Sequence, residues 1–267
     1  MRTVNLPITS GKLEFLQKSK IPFNVSFTNN STTIDLVNEK IRYFLAPDFL
    51  KKSELNFIGR VKKTAVNCGK PEIGISANNI QYFRFNNFKQ MKNLIEIDVN
   101  SAYWQLAHQL GYVGDKLFAE GVNSEKISKI ARLVALGSLA TKKKVFQFDG
   151  SNFHYIGYKF NSVTRSYFFH VSYELDKIMN EIFSEIGEKA LFYWFDAFFV
   201  SADVAEFIEY SLGKFDLGIK TKKIHEITRK KDQQGFEYIK VRDEKKIRTF
   251  YLPNVDRQLK IVSEYQV

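Results

Sequence analysis

The sequence predicts an α+β fold built on antiparallel strands, and three observations carry that reading. Short alternating or aromatic pieces bounded by polar turns recur at both ends of the chain, as in IPFNVSF, NIQYFRFNNF and FEYIKVRDEKKIRTFYLP. Between them stands a long helical repeat: in SYFFHVSYELDKIMNEIFSEIG, Val171, Leu175, Ile178, Ile182 and Ile186 form one apolar stripe. Two apolar runs, LIEIDV and ALFYWFDAFFV, set Asp98 and Asp196 beside or inside strands.

Taken in order, the first 90 residues read as strands and loops with one helix near Ile34–Leu45, separated by polar stretches such as TNNSTT and CGKPEIG. LIEIDV is a strand with Asp98 near its end, and NSAYWQLAHQLG opens a helix that Gly111 stops. Ser124 precedes EKISKIARLVALGSLATKK, where Ile127, Ile130, Leu133 and Leu136 recur at helical spacing beneath a basic face. VFQFDG and FHYIGYKF form a hairpin around Gly150. Asp203 is the expected N-cap of VAEFIEYSLGKF, and the last two strands join at Asp243–Lys245. No internal repeat is evident.

Composition narrows the class. The chain has 267 residues, 25 Phe, 13 Tyr and 2 Trp, and is 44% hydrophobic, enough to fill a core and to exclude disorder over most of its length. No stretch approaches the run of about 18 apolar residues that a membrane span needs. Cys68 is the single cysteine and cannot close an internal disulfide, and MRTVNLPITSGKLEF lacks a secretory pattern. A cytoplasmic protein is expected. The formal charge of +11, from 40 Lys and Arg against 29 Asp and Glu, admits nucleic acid as a partner. Its distribution is uneven: residues 166–213 hold two basic and nine acidic residues, whereas 1–97 hold 15 and seven, 124–165 eight and two, and 214–267 14 and eight. Carboxylates holding metal ions at a centre, with Lys and Arg outside them on a phosphate backbone, would produce this pattern. An unevenly charged, solvated surface would produce it too.

A lone carboxylate in a run of Phe and Tyr is costly unless something offsets its desolvation, and a divalent cation is one such partner. If the strands of Asp98 and Asp196 pair, the two carboxylates can bridge two Mg²⁺ or Mn²⁺ ions. Such ions would activate a 3′-hydroxyl and neutralise the triphosphate of an incoming nucleotide.

The segment IEIDVNSAYWQL, Ile95 to Leu106, resembles the first catalytic motif of family B DNA polymerases, with Asp98, Ser101, Ala102 and Tyr103 matching and Trp104 standing where Pro is usual. The resemblance implies that Asp98 is a metal ligand, that the Val99 carbonyl assists it, and that Tyr103 crowds a 2′-hydroxyl. FYWFDAFFV resembles the third motif, an aspartate hairpin, with Asp196 on the second, metal-binding Asp, Trp194 in place of the first and Ala197 in place of Ser. RLVALGSLATK resembles the middle motif, on the fingers helix that holds the triphosphate; it offers Arg132, Ser138 and Lys142, with Gly137, Ala140 and Thr141 departing from the pattern and Lys129 an alternative cation. Where the family carries a Lys-x-Tyr-like primer strand, FEYIKVRDEKKIRTFY offers Lys240, Lys245, Lys246 and Arg248 for nucleic-acid phosphates.

The resemblance spans roughly residues 94–250 and implies an antiparallel-sheet polymerase-like palm with helices on one face and a reduced helical fingers insertion. The implied organisation is an N-terminal extension over 1–93 for template or partner, a palm core over 94–213 with fingers at about 104–143, and basic strands over 214–267 acting as a rudimentary thumb or primer grip. It lacks room for an exonuclease domain. The implied function is a small DNA-directed DNA polymerase, phage-type or protein-primed, acting on DNA primer-template and deoxynucleoside triphosphates. A protein partner would supply grip or primer, and a phage-encoded chain would work in its host's cytoplasm. The alternatives are a catalytically inactive palm-like module of a replication or virion complex, a primase, and a two-metal nuclease drawing on Glu174, Asp176 or Asp203.

Overall fold

The computed structural model describes residues 11–28, 31–44, 50–66, 79–252 and 260–265. The readings of Cys68, of CGKPEIG and of the first ten residues lie outside them. In chain order the elements are α1 (Gly11–Lys18), β1 (Phe23–Thr28), β2 (Ser31–Asp35), β3 (Lys40–Phe44), α2 (Lys52–Val66), β4 (Phe83–Phe85), β5 (Gln90–Val99), α3 (Ala102–Gln109), α4 (Asp115–Asn123) and α5 (Lys129–Gly137). There follow β6 (Lys143–Phe148), β7 (Phe153–Lys159), α6 (Ser162–Ile186), β8 (Ala190–Trp194), β9 (Ala197–Ser201), α7 (Ala205–Gly213), β10 (Ile219–Lys231), β11 (Glu237–Arg242), β12 (Lys246–Tyr251) and β13 (Lys260–Tyr265). The expected mixed α+β architecture with antiparallel sheets is what forms. The chain divides into two compact units, Met1–Ile75 with Ala107–His170, and Ser76–Leu106 with Val171–Val267.

Unit one is built on a five-stranded antiparallel sheet ordered β3-β2-β1-β6-β7. Leu13 and Leu16 of α1 pack with Phe23, Val25, Ile34 and Phe148 in its core. The β6–β7 hairpin turns at Gly150, whose φ of 101° and whose approach to the Lys20 carbonyl, 2.8 Å from where a Cβ would lie, both require glycine. The helix expected near Ile34–Leu45 does not form within the described part of that range. Ile34, Val37 and Ile41 have helical spacing, but the Leu36 amide bonds to the Glu39 carbonyl at 2.8 Å and folds the segment into the β2–β3 hairpin, leaving Val37 98% exposed. The helix is α2 instead, where Phe57, Ile58, Val61 and Ala65 are buried at helical spacing.

Further along unit one, α5 is capped by Ser128 rather than Ser124: the Ser128 hydroxyl accepts from the Ala131 amide. The helix buries Ala131, Ala135 and Leu136, leaves Ile130 and Leu133 half-exposed, and packs against α2. Glu54 joins the two. One of its oxygens accepts from the Lys51 amide ahead of α2, the glutamate half of a capping box, and the other accepts from the Ser128 amide ahead of α5.

Unit two holds an eight-stranded antiparallel sheet ordered β13-β12-β11-β10-β5-β9-β8-β4. Of the apolar stripe of α6, Val171, Leu175, Ile178 and Ile182 are buried and Ile186, at the helix end, is only partly so; Phe183 meets Tyr193 of β8 edge-on at 5.6 Å. The sheet curls. Phe250 of β12 reaches Phe192, Trp194 and Phe199 of β8 and β9 at ring-centroid distances of 5.6, 5.2 and 5.5 Å, although three strands intervene between β12 and β9 in the ladder. Asp203 does not cap α7. A 3-10 turn over residues 202–204 precedes the helix, and the Asp203 carboxylate takes the Lys189 ammonium at 2.6 Å.

Candidate active site

Strand β5 runs between β10 and β9, and its buried Leu94, Ile97 and Val99 fix its register against both. That register sets Asp98 opposite Ala197 on one side and Lys220 on the other. One step beyond Ala197 the Asp196 carbonyl accepts from the Val99 amide at 2.8 Å. Asp98 at the end of β5 and Asp196 in the β8–β9 turn are therefore backbone neighbours, one ladder position apart. Because the N–H and C=O of one strand residue point the same way, the Val99 carbonyl also faces the Asp196 turn. The backbones of Asp98, Val99 and Asp196, nominated from the sequence, are brought side by side here.

The backbone around them is strained. Phe195, in the two-residue turn between β8 and β9, has a φ of 54°, where a glycine would be unstrained. Ser101, three residues after Asp98, has a φ of 51°, and Tyr82, whose carbonyl accepts from the Phe195 amide at 2.6 Å, has a φ of 64°. Such conformations cost on the order of 1–3 kcal/mol each and persist where neighbours over-determine them. The neighbour here is Asp176 of α6. Its carboxylate accepts from the amides of Gln81 and Tyr82 and from the Tyr193 hydroxyl, each at 3.0 Å. Asp176 thus holds Tyr82, Tyr82 holds Phe195, and Phe195 adjoins Asp196. Burial and the Asp176 charge push the Tyr193 hydroxyl well up, so it stays a donor.

Tyr103 lies in the first turn of α3. Burial first, then the charges of Asp196, Tyr82 and Asp176, raise its pKa well above the ordinary phenol value. It is a protonated donor within the field of Asp196.

A second charged group lies on the same pleat of β5, two residues back from Asp98. Glu96 takes the Arg248 guanidinium with both oxygens, at 2.7 and 2.6 Å. Arg248 also lies 4.0 Å from Asp243 and over the rings of Phe199 and Phe250, and Asp243 pairs with Lys222. Arg248 is thus engaged inside unit two. Lys240 is exposed, 5.7 Å from the Tyr238 ring, and Lys245 and Lys246 flank the β11–β12 turn with amides held by Asp243. The IEID alternation signals Glu96, but Lys220, Asp176 and the Arg248 partnership depend on long-range register that no local pattern announces.

Arg132, Lys129 and Lys142 belong to unit one. Arg132 donates to the Gly121 carbonyl, and burial holds its pKa below the usual value. Lys129 is exposed in the first turn of α5, and Lys142 lies over the rings of Tyr158 and Phe160 at 5.5 and 5.8 Å.

Among the described residues no group of three or more His, Cys, Asp or Glu is placed to hold a metal, and no helix is long and apolar enough to cross a membrane. Compared with models of known protein families and with curated proteins, the chain matches none.

Proposed function

We propose that the chain is a metal-dependent nucleotidyltransferase, a small DNA-directed DNA polymerase that extends a DNA or protein primer on a polymerase-like palm formed by unit two. The observation that carries this is the placing of Asp98 at the end of β5 beside Asp196 in the β8–β9 turn, whose carbonyl accepts from the Val99 amide, next to strained residues and a helix bearing Tyr103. Two carboxylates with the Val99 carbonyl form a hard oxygen donor set of the kind Mg²⁺ or Mn²⁺ takes. Bound there, two such ions would lower the pKa of a 3′-hydroxyl and offset the charge of the triphosphate. The Tyr103 ring would crowd a 2′-hydroxyl and favour deoxynucleotides. Lys240, Lys245 and Lys246 would hold primer phosphates as point charges. Primer synthesis fits less well with the Tyr103 ring. A nuclease site would need further acids, and Asp176 and Asp203 are bound to structural partners.

The test is incorporation of labelled deoxynucleotide on a primed template with Mg²⁺ or Mn²⁺. Asp98→Asn and Asp196→Asn should each abolish incorporation while keeping the wild-type melting temperature. Wild-type activity in either folded variant overturns the assignment.

One observation favours a second reading, a catalytically silent module that binds nucleic acid or assembles with other proteins. Trp194, where the resemblance places the first hairpin Asp, is a core residue, packed on Phe83, Phe195 and Phe250 at 5.6, 6.1 and 5.2 Å. Mn²⁺ binding followed by water-proton relaxation separates the readings. A polymerase binds the ion and loses it in Asp98→Asn; the silent module shows no such difference.

A further inference from the structure

Unit one contains a cavity of about 510 Å³ against its five-stranded sheet, and the chemistry of its walls is one-sided. Four lysines from four different elements line it: Lys40 of β3, Lys62 of α2, Lys143 of β6 and Lys159 of β7. Asp35 is the one carboxylate among the lining residues, and it is already paired with Lys40 at 2.9 Å. Hydroxyls complete the wall, those of Ser26, Thr33 and Thr164 belonging to residues less than a tenth exposed.

The first turn of the 25-residue α6 opens into the same space. Asn161 and Thr164 both line the cavity, and the Asn161 side-chain oxygen accepts from the Thr164 amide at 3.1 Å, which caps the helix there. The positive end of the helix dipole adds to the lysines.

We propose that this cavity is a binding site for a ligand bearing two or more adjacent phosphates, supplied either as a free nucleoside polyphosphate or as the phosphorylated 5′ end of a nucleic-acid strand. Four lysines around one concavity, the Ser26 and Thr33 hydroxyls and a helix N-terminus form an oligophosphate cradle, and the volume lies in the range of small-ligand sites. Lys62 and Lys143 both line the space, and desolvation, with the Lys143 charge next to it, holds the Lys62 pKa below the ordinary lysine value, a like-charge repulsion that a bound anion would offset. The site uses no residue of the Asp98–Asp196 pair and stands whether or not nucleotidyl transfer is correct.

The experiment follows the melting temperature of the full chain with sodium tripolyphosphate, a nucleoside triphosphate, the corresponding nucleoside, and a short oligonucleotide with or without a 5′-phosphate. Wild type should gain several degrees with tripolyphosphate and nothing with the nucleoside. Lys62→Met and Lys143→Met should melt at or above the wild-type temperature without ligand, because one of two repelling charges is gone, and should lose most of the ligand-induced gain. Asp98→Asn should keep the full gain, which separates this site from the proposed catalytic one. A gain with the free triphosphate alone identifies a nucleotide, and a gain that requires the 5′-phosphate of the oligonucleotide identifies a strand end. The proposal is overturned if tripolyphosphate gives no gain, or if either folded lysine variant responds as wild type does.

Discussion

Asp243 has the most demanding surroundings of any carboxylate in unit two. Its side chain is buried in the β11–β12 turn, where its oxygens accept from the amides of Lys245 and Lys246 and take the Lys222 ammonium. Burial alone would raise its pKa, but the Lys222 bond and the two amides outweigh it and bring the value to about 2. An unfolded aspartate titrates near ~3.9, so the folded state binds the proton more weakly. The resulting stabilisation is complete above about pH 4 and is lost as pH falls through about 2. With the half-exposed Lys222 screened by solvent, it amounts to on the order of 1–2 kcal/mol. Urea unfolding of wild type and Asp243→Asn should therefore differ at pH 6 and converge between pH 4 and pH 2. A difference that stays constant across that range would show that the carboxylate charge is not what stabilises the turn.

Individual elements show what the sequence discloses and what it withholds. The long helix α6 was legible because its stripe is local and uninterrupted, and β5 because LIEIDV alternates and ends at a polar turn. The hairpin bearing Asp196 is not announced by its own residues: the turn position that favours glycine holds Phe195 at a φ of 54°. Lys220 opposite Asp98 is hidden for another reason, since it lies in a strand more than a hundred residues away and only the β5–β10 register brings the two together. The misplaced N-terminal helix shows helical spacing losing to a four-residue turn. The helix that does form there depends on Glu54, buried at 3% exposure and bonded to the first turns of both α2 and α5. The Ser128 and Lys51 bonds hold its pKa below the ordinary glutamate value, so both oxygens act as acceptors at neutral pH. Glu54→Gln should cost about 1–3 kcal/mol, since an amide NH₂ then faces one backbone N–H. The loss should appear in thermal melts together with faster amide exchange at the starts of both helices, and protection unchanged at α5 would deny the double role.

The division into two units changes the meaning of the net charge. Unit one contains 21 Lys and Arg against 10 Asp and Glu, whereas unit two contains 19 of each, so the whole +11 belongs to unit one. The many cations of unit two are balanced close at hand, as in Lys189–Asp203, Arg229–Glu237 and Arg248–Glu96. Attraction of a polyanion at distances beyond single contacts is therefore a property of unit one, although the proposed catalytic carboxylates are in unit two. Affinity for single-stranded DNA should fall as salt rises, because each phosphate neutralised releases about 0.7 of a counterion. Replacing the exposed Lys63, Lys126 and Lys144 of unit one with Gln should lower the slope of log K against log salt by up to about 2. The same replacement at Lys177, Lys214 and Lys230 of unit two should leave it nearly unchanged. The reverse ranking would place the nucleic-acid track on the electrically balanced unit, and the segregation of charge would then have no part in capturing DNA.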